Sequence, residues 1–402
     1  MRNFGSRFWV IAALSLGPAV SNSFARFAYA LLLPAMRTDL GLSYSQAGGL
    51  NTANALGYLT GALIAARYVS RIGNRRLFCA GMVATVLAII GSGLTGDFLA
   101  QLCLRALAGV GGAMVFICGA VLASNVFADR PHLSSSAIAL YFGGAGAGIA
   151  LSGIGIPWLL QVAGDDAWRT GWLAIGAVSA LFGALGIRAA RQIDDPSSGS
   201  RRGAWPVAEF RAALGSYFLV GVGYIAYMTF VVAWMRSHGA SSSDVALTWG
   251  TLGIATMTTS PVWRVPLERW PPATTLAVAS AVIGIGAAIP LYSTSLPAMI
   301  LSASFFGGAM FATPASVTAL VKTSLPKAAW GSAVAVFTVV FAVGQAIGPV
   351  LTGWLADATH SLYAGLAGSV AILLAAGAIA MCQRESGAAR PSRAREAVPG
   401  RR

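Results

Sequence analysis

Long apolar runs, most of them able to cross a bilayer at about 20 residues each, divide the chain into twelve candidate helices. Helices 1 to 6 are expected over about 8–36, 45–66, 77–96, 99–126, 134–162 and 169–188. Helices 7 to 12 follow over about 213–235, 245–263, 272–292, 297–320, 331–356 and 362–382. Between the sets lies a polar stretch, Arg188–Arg211, with Pro, Gly and Ser. The expected division is a six-helix half over 1–190, a linker over 191–211, a second half over 212–383 and a disordered Arg- and Ala-rich tail over 384–402. The first run, after Arg2 and Arg7, has the look of a signal peptide. It continues to Met36, however, and its far end recurs later in the chain, so it is taken as a span.

Composition excludes a water-soluble enzyme. The 402 residues are 56% hydrophobic and only 10% charged, where soluble domains carry about 25% charged residues. Mean hydropathy is +0.70. The net charge of +14 could suit nucleic acid or a membrane surface, and placement decides between them. With the N-terminus inside, 22 of the 27 basic residues fall on the cytoplasmic side and three on the outer side, namely Arg37, Arg169 and Arg236. That asymmetry places both termini in the cytoplasm of a bacterial inner-membrane protein and removes nucleic acid as a partner. The four cysteines have no CxxC spacing and read as small apolar residues.

The halves repeat at an offset near 198–200 residues. Ala28-Tyr29 maps onto Ala226-Tyr227, Ser45 onto Ser243 and Arg71 onto Arg269. Gly144, Gly148 and Gly153 of helix 5 reappear as Gly344, Gly348 and Gly353 of helix 11. Six helices separate the copies, so the halves run parallel about an axis along the membrane normal, an arrangement of transporters that bind substrate at mid-depth. The fold class is therefore all-α, with twelve transmembrane helices in two parallel six-helix halves.

Three motifs carry a resemblance to the major facilitator superfamily. Ser70-Arg71-Ile72-Gly73-Asn74-Arg75-Arg76 is similar to its loop motif after helix 2. Arg105 to Gly111 is similar to its helix-4 arginine motif, and Gln345 to Asp357 to its helix-11 pattern. The block Phe24–Gly48 further resembles the YbfB-like bacterial branch. The resemblance implies the fold above, alternating access, and gate residues at Ser70, Arg71, Gly73, Arg75 and Arg76. Two departures stand out: Ser70 occupies the place of the family's loop aspartate, and helix 5 lacks the Gly-Pro pair of many drug/proton exporters.

All 13 acidic residues and all three histidines fall in loops or at helix ends, which leaves Arg26 and Arg105 as the intramembrane charges. Each costs about 2.5–3.5 kcal/mol on insertion scales and should face the protein interior. Arg26 is expected about 16 Å below the outer face and Arg105 about 12 Å. Helical spacing gathers Asn22 and Tyr29 beside Arg26, and Asn51, Asn54 and Tyr58 on one face of helix 2. Tyr224, Tyr227 and Gln345 project near mid-depth from the second half. The structural alternatives are backbone bonding by Arg105 at a glycine-rich crossing, helix gluing by the two asparagines, and ordinary packing by the tyrosines. Gly91 to Gly96 spells GxGxxG, but it ends a membrane helix with no strand before it, and it carries no nucleotide chemistry.

A positive pair lined by amides and phenols suits a small organic anion such as a carboxylate. The expectation is a monomeric secondary transporter in the lipid bilayer, moving a small-molecule substrate with neither cofactor nor metal. Efflux of amphipathic or drug-like compounds is the alternative. A membrane-embedded enzyme is disfavoured because no catalytic constellation is visible. Periplasm-dependent reporter fusions made after Arg37, Arg169 and Arg236 should be active, and those after Arg130 and Lys327 inactive. The reverse pattern would invert the topology.

Overall fold

The structure, a computed structural model, describes residues 4–195 and 204–384. Part of the expected linker (196–203) and nearly all of the expected tail (385–402) lie outside the described residues. The described chain is helical without strands, and twelve helices cross between two faces. Helix 1 is Phe4–Pro18, Ala19–Phe27 and Tyr29–Asp39 in series, followed by Tyr44–Ile72, Asn74–Leu94, Phe98–Asn125, Pro131–Ala163 and Trp168–Ala190. Helix 7 is Arg211–Ser237, helix 8 Ser242–Met257 with Thr259–Arg269, and helix 9 Pro272–Tyr292. Helix 10 is Leu296–Met310 with Ala312–Ser324, helix 11 Trp330–Thr359 and helix 12 Leu362–Met381. Most run several residues beyond their apolar cores. Ser70 and Arg71, expected in a loop, close helix 2, and Arg264, also expected in a loop, lies within helix 8.

Ten of the spans are long and apolar enough to be recognised by hydropathy alone. The other two are helices 2 and 8, which occupy equivalent places in the two halves. Helix 2 is diluted by Asn51, Thr52, Asn54 and Arg71, and helix 8, interrupted at Thr258, by Thr248, Thr251, Thr256, Thr259 and Arg264. Helix 2 faces the partner half, where Asn51 and Thr52 find partners that lipid would deny them; helix 8 packs against helix 5 of the other half. Helix 10 is interrupted at Phe311, and the two interruptions meet. Thr259 donates to the Gly307 carbonyl (3.3 Å) and the Trp263 indole to that of Gly308 (2.8 Å).

The repeated glycines do the same work twice. A Cβ on Gly144 would lie 1.9 Å from the Ser15 carbonyl oxygen, and one on Gly344 2.3 Å from that of Phe218, so helix 5 crosses helix 1 as helix 11 crosses helix 7. Gly153 and Gly353 then join the halves, the former against Trp249 of helix 8 and the latter against the Tyr44 carbonyl of helix 2. Helices 2 and 8 even start alike, with capping boxes at Ser43/Gln46 and Ser241/Asp244.

These contacts between halves cluster toward the face opposite the termini, the far face. Gly48 lies against the Pro349 carbonyl, and Thr52 donates to the Ala346 carbonyl (2.6 Å). At the far end of helix 11, Asp357 accepts the backbone N–H groups of Tyr44 (2.9 Å) and Ser45 (2.8 Å) and the Ser45 hydroxyl (2.5 Å). A carboxylate of the second half thus caps the positive N-terminal end of helix 2 in the first, an interaction of about 1–2 kcal/mol. Asp357→Ala should lengthen the distance between spin labels at Thr38 and Thr359, by a population shift of about 5–30-fold. An unchanged distance distribution would show that Asp357 is not a latch.

Candidate functional site

Helix 1 does not run straight past mid-depth. Pro18 lacks the amide hydrogen a regular turn would use, and the next nine residues, Ala19–Phe27, form a π-helix with every residue buried. The Ala28 N–H bonds the Ser23 carbonyl five residues back (2.7 Å), and the Ser23 hydroxyl anchors the segment to the Ala145 carbonyl of helix 5. Wide turns of this kind recur at functional sites. This one carries Ser21, Asn22 and Arg26. The sequence showed one continuous span here, and Pro18 was the available signal of the irregularity.

The two buried arginines have different surroundings. Arg105 is 1% exposed, donates to the Ala25 carbonyl, and lies between the rings of Tyr29 (4.7 Å) and Trp172 (5.6 Å). Tyr29 in turn donates to the Ala47 carbonyl of helix 2 (2.8 Å). Arg105 and Tyr29 therefore brace the π-helical segment from within the first half. Arg26 is 5% exposed; its Nε and one terminal nitrogen have no hydrogen-bond partner, as is also true of Arg105, but it lacks the bond to a backbone carbonyl that Arg105 makes. Its guanidinium lies 5.6 Å from the ring of Tyr58 and within electrostatic range of Tyr224 in the second half. Among the described residues neither arginine is in an ion pair; the pairs present are Arg7–Asp129 and Arg264–Glu268.

The remaining expected residues divide in the same way. Asn51 bonds Thr229 across the halves (2.6 Å), and Asn54 bonds the Arg105 backbone carbonyl (3.1 Å). Gln345 donates to the Tyr224 hydroxyl (3.1 Å). Asn22 is buried in the π segment with its side-chain oxygen unpartnered. Tyr227 is not brought to this centre. Its hydroxyl pairs with Ser302 (2.7 Å) and its ring stacks on Phe306 (4.2 Å), inside the second half. An aromatic wall missed in the sequence stands nearby, with Tyr224 stacked on Phe341 (5.7 Å) and Phe341 on Tyr217 (4.4 Å). Thr229 was also missed, because a lone Thr in an apolar helix carries no signal.

The expected gate residues sit at the termini-bearing end of helix 2. Gly73 turns the chain with φ of +88°. A Cβ there would lie 2.3 Å from the Asp195 carboxylate, which accepts the backbone N–H groups of Asn74 (3.1 Å) and Arg75 (3.0 Å). The carboxylate absent at Ser70 is thus supplied to this turn by the start of the linker. Ser70, Arg71 and Arg76 are exposed. A cavity of about 480 Å³ opens on the same face, lined by Arg7, Asn125, Asp129 and Asp194 among others, apart from Arg26. The Arg7 hydrogen bond at its rim holds the Asp129 carboxyl below the usual range.

A family model described as "Uncharacterised MFS-type transporter YbfB" matches residues 19–381. An uncharacterised MFS-type transporter of Yersinia pestis (strain Pestoides F) is 29% identical over 184 residues, 45% of this chain and 46% of that protein. Nitrate transporter 2.1 of Chlamydomonas reinhardtii is 30% identical over 211 residues, 48% of this chain and 37% of that one. The chain spans less than half the length of these curated relatives. Among solved structures, an inward-facing, unoccupied bacterial homologue of the human lysosomal transporter Spinster superposes with a TM-score of 0.71 at 17% identity, covering 95% of this chain and 98% of that one. A mutant of the nucleoside transporter NupG superposes with a TM-score of 0.76 at 10% identity, covering 95% and 100%. At these identities the structures show the fold.

The contrast between the arginines is measurable without a substrate. Arg105→Leu should lower unfolding stability by about 2–3 kcal/mol, because it removes a bonded brace. Arg26→Leu should leave stability unchanged or raise it, because it removes a buried charge that lacks the backbone hydrogen bond Arg105 makes. Equal losses in thermal unfolding would erase the distinction.

Proposed function

The chain belongs to the YbfB-type family of major facilitator superfamily transporters, and on that premise we propose that it carries a small organic anion by alternating access, with Arg26 as the anion-binding group. The observation that carries the reading is the Arg26 guanidinium, buried, unpaired by any described carboxylate, with free N–H groups and phenols from both halves around it. A guanidinium in that setting gains most from a carboxylate, which takes two parallel hydrogen bonds and neutralises the charge. Nitrate transport by a relative from Chlamydomonas fits an anion-binding ancestry for this scaffold.

In the proposed cycle the halves rock as two bodies, residues 1–190 against 212–383, in a monomer within the lipid bilayer. With both termini in the cytoplasm, the face closed by Asp357 and Gly353 is the outer one, and this conformation is inward-facing. Substrate bound between Arg26 on helix 1 and Tyr224 on helix 7 gives each half a reason to close on it. No carboxylate lies beside Arg26 among the described residues, so transport runs as exchange, as uniport, or coupled through the substrate's own proton. The aromatic wall of Tyr217, Phe341 and Tyr224 supports a second reading, efflux of amphipathic compounds. Buried positive charge nearby disfavours cations among them.

Arg26→Ala should abolish transport of carboxylates in proteoliposomes and weaken their binding by about 100-fold, while the protein remains folded in detergent. Wild-type transport by that variant would remove Arg26 from the site. Stabilisation by hydrophobic cations instead of carboxylates in a thermal-shift panel would favour the efflux reading. Proton flux that stays stoichiometric with a non-titrating substrate would refute the coupling assignment.

A further inference from the structure

Two amide oxygens beside Arg26 have no donor, and the bonds around them fix which way they point. Asn54 gives its Nδ2 to the backbone carbonyl of Arg105 (3.1 Å), which can only accept, so its Oδ1 is turned the other way. Asn51 gives its Nδ2 to the Thr229 hydroxyl (2.6 Å), and that hydroxyl already donates its own proton to the Ile225 carbonyl (2.6 Å). Thr229 can therefore only accept from Asn51, and the Asn51 Oδ1 is fixed as well. Both residues are 2% exposed, and both Oδ1 atoms are buried without a partner. Buried acceptors left without a donor are costly, and native structures keep few of them.

The two asparagines lie on the face of helix 2 that carries Tyr58, and Tyr58 lies against Arg26. Ala47, Asn51, Asn54 and Tyr58 form one stripe of helix 2. At one end the Ala47 carbonyl receives the Tyr29 hydroxyl of helix 1, and at Asn51 the stripe meets Thr229 of helix 7. At the other end Tyr58 lies against the Arg26 guanidinium. The junction of helices 1, 2 and 7 thus has unpaired buried donors on Arg26 and unpaired buried acceptors on Asn51 and Asn54. A bare anion would satisfy only the donors.

We propose, building on the anion reading above, that the substrate is a hydroxylated carboxylate whose carboxylate meets Arg26 and whose hydroxyl donates to Asn51 or Asn54. Asn54 is four residues from Tyr58 and Asn51 seven, so the hydroxyl lies about 6–10 Å from the carboxylate along the helix axis. An ammonium is a poorer donor here, because Arg26 and Arg105 lie within electrostatic range of each other and repel a third cation. Nitrate has no proton to give to either amide.

The test is calorimetric binding of hexanoate, 6-hydroxyhexanoate, 6-aminohexanoate and nitrate to the purified full-length protein. 6-Hydroxyhexanoate should bind about tenfold more tightly than hexanoate and more tightly than the other two. Asn51→Leu and Asn54→Leu should lower its affinity to that of hexanoate and leave hexanoate unchanged. Equal binding of hexanoate and 6-hydroxyhexanoate, or tightest binding of 6-aminohexanoate or nitrate, would overturn the proposal while leaving an anion site in place. Equal weakening of both carboxylates in the asparagine variants would show a helix-packing role and overturn it too. Failure of wild type to bind any of the four ligands would instead remove the anion reading, and this proposal with it. The wild-type comparison decides the matter even where a variant does not fold.

Discussion

A guanidinium held at mid-depth in a bilayer without a carboxylate beside it is the constraint around which the protein is arranged. Arg26 cannot face lipid, where its charge would cost several kcal/mol, so helix 1 must lie at the centre of the first half. The π-helical segment Ala19–Phe27 is fully buried there and is pinned by its own Ser23 hydroxyl to the Ala145 carbonyl of helix 5 and by Arg105 of helix 4 at its Ala25 carbonyl. Both guanidiniums lie against aromatic rings and keep an unpaired Nε and one unpaired terminal nitrogen, but Arg105 alone of the two donates to the Ala25 carbonyl. Arg105 is tied to the segment by that bond, and Arg26 is carried on the segment itself.

Closure of the halves rests on short-range packing of backbones, with polar caps at the rim. Glycines at 48, 153, 253 and 353 let helices 2 and 11, and helices 5 and 8, approach until a Cβ would overlap the neighbouring chain. The two crossings are equivalents under the internal repeat, but their ends differ. Helix 2 receives the Asp357 carboxylate from the other half, while helix 8 is capped by its own Ser241 and Asp244. A symmetric scaffold therefore carries an asymmetric fastening, placed where the halves must part for the far face to open.

Much of this was legible in the residues. The apolar runs, the repeat near 198–200 residues and the distribution of basic side chains set the helix count, the parallel halves and an expected orientation. Arg26 was conspicuous because a charge inside an apolar run has few uses. Helices 2 and 8 were harder, since the polar side chains they carry lower the hydropathy by which a span is recognised. Tyr227 misled for a related reason. Its repeat partner, Tyr29, braces Arg105, but equivalent positions in two halves need not have equivalent neighbours, and Tyr227 meets Ser302 and Phe306.

The sequence by itself determined what must be buried, because the transfer cost of each side chain is set by its own chemistry. It therefore fixed the spans, the parallel halves and the two interior arginines. Tertiary structure alone decided what each buried group would meet. The π turn in helix 1, the different contacts of Arg26 and Arg105, the fixed amide oxygens of Asn51 and Asn54, and the carboxylates that Asp195 and Asp357 bring to distant helix ends all depend on contacts between segments far apart in the chain. Hydrogen bonds act over about 3 Å, and no pattern along one helix records which other helix will come that close.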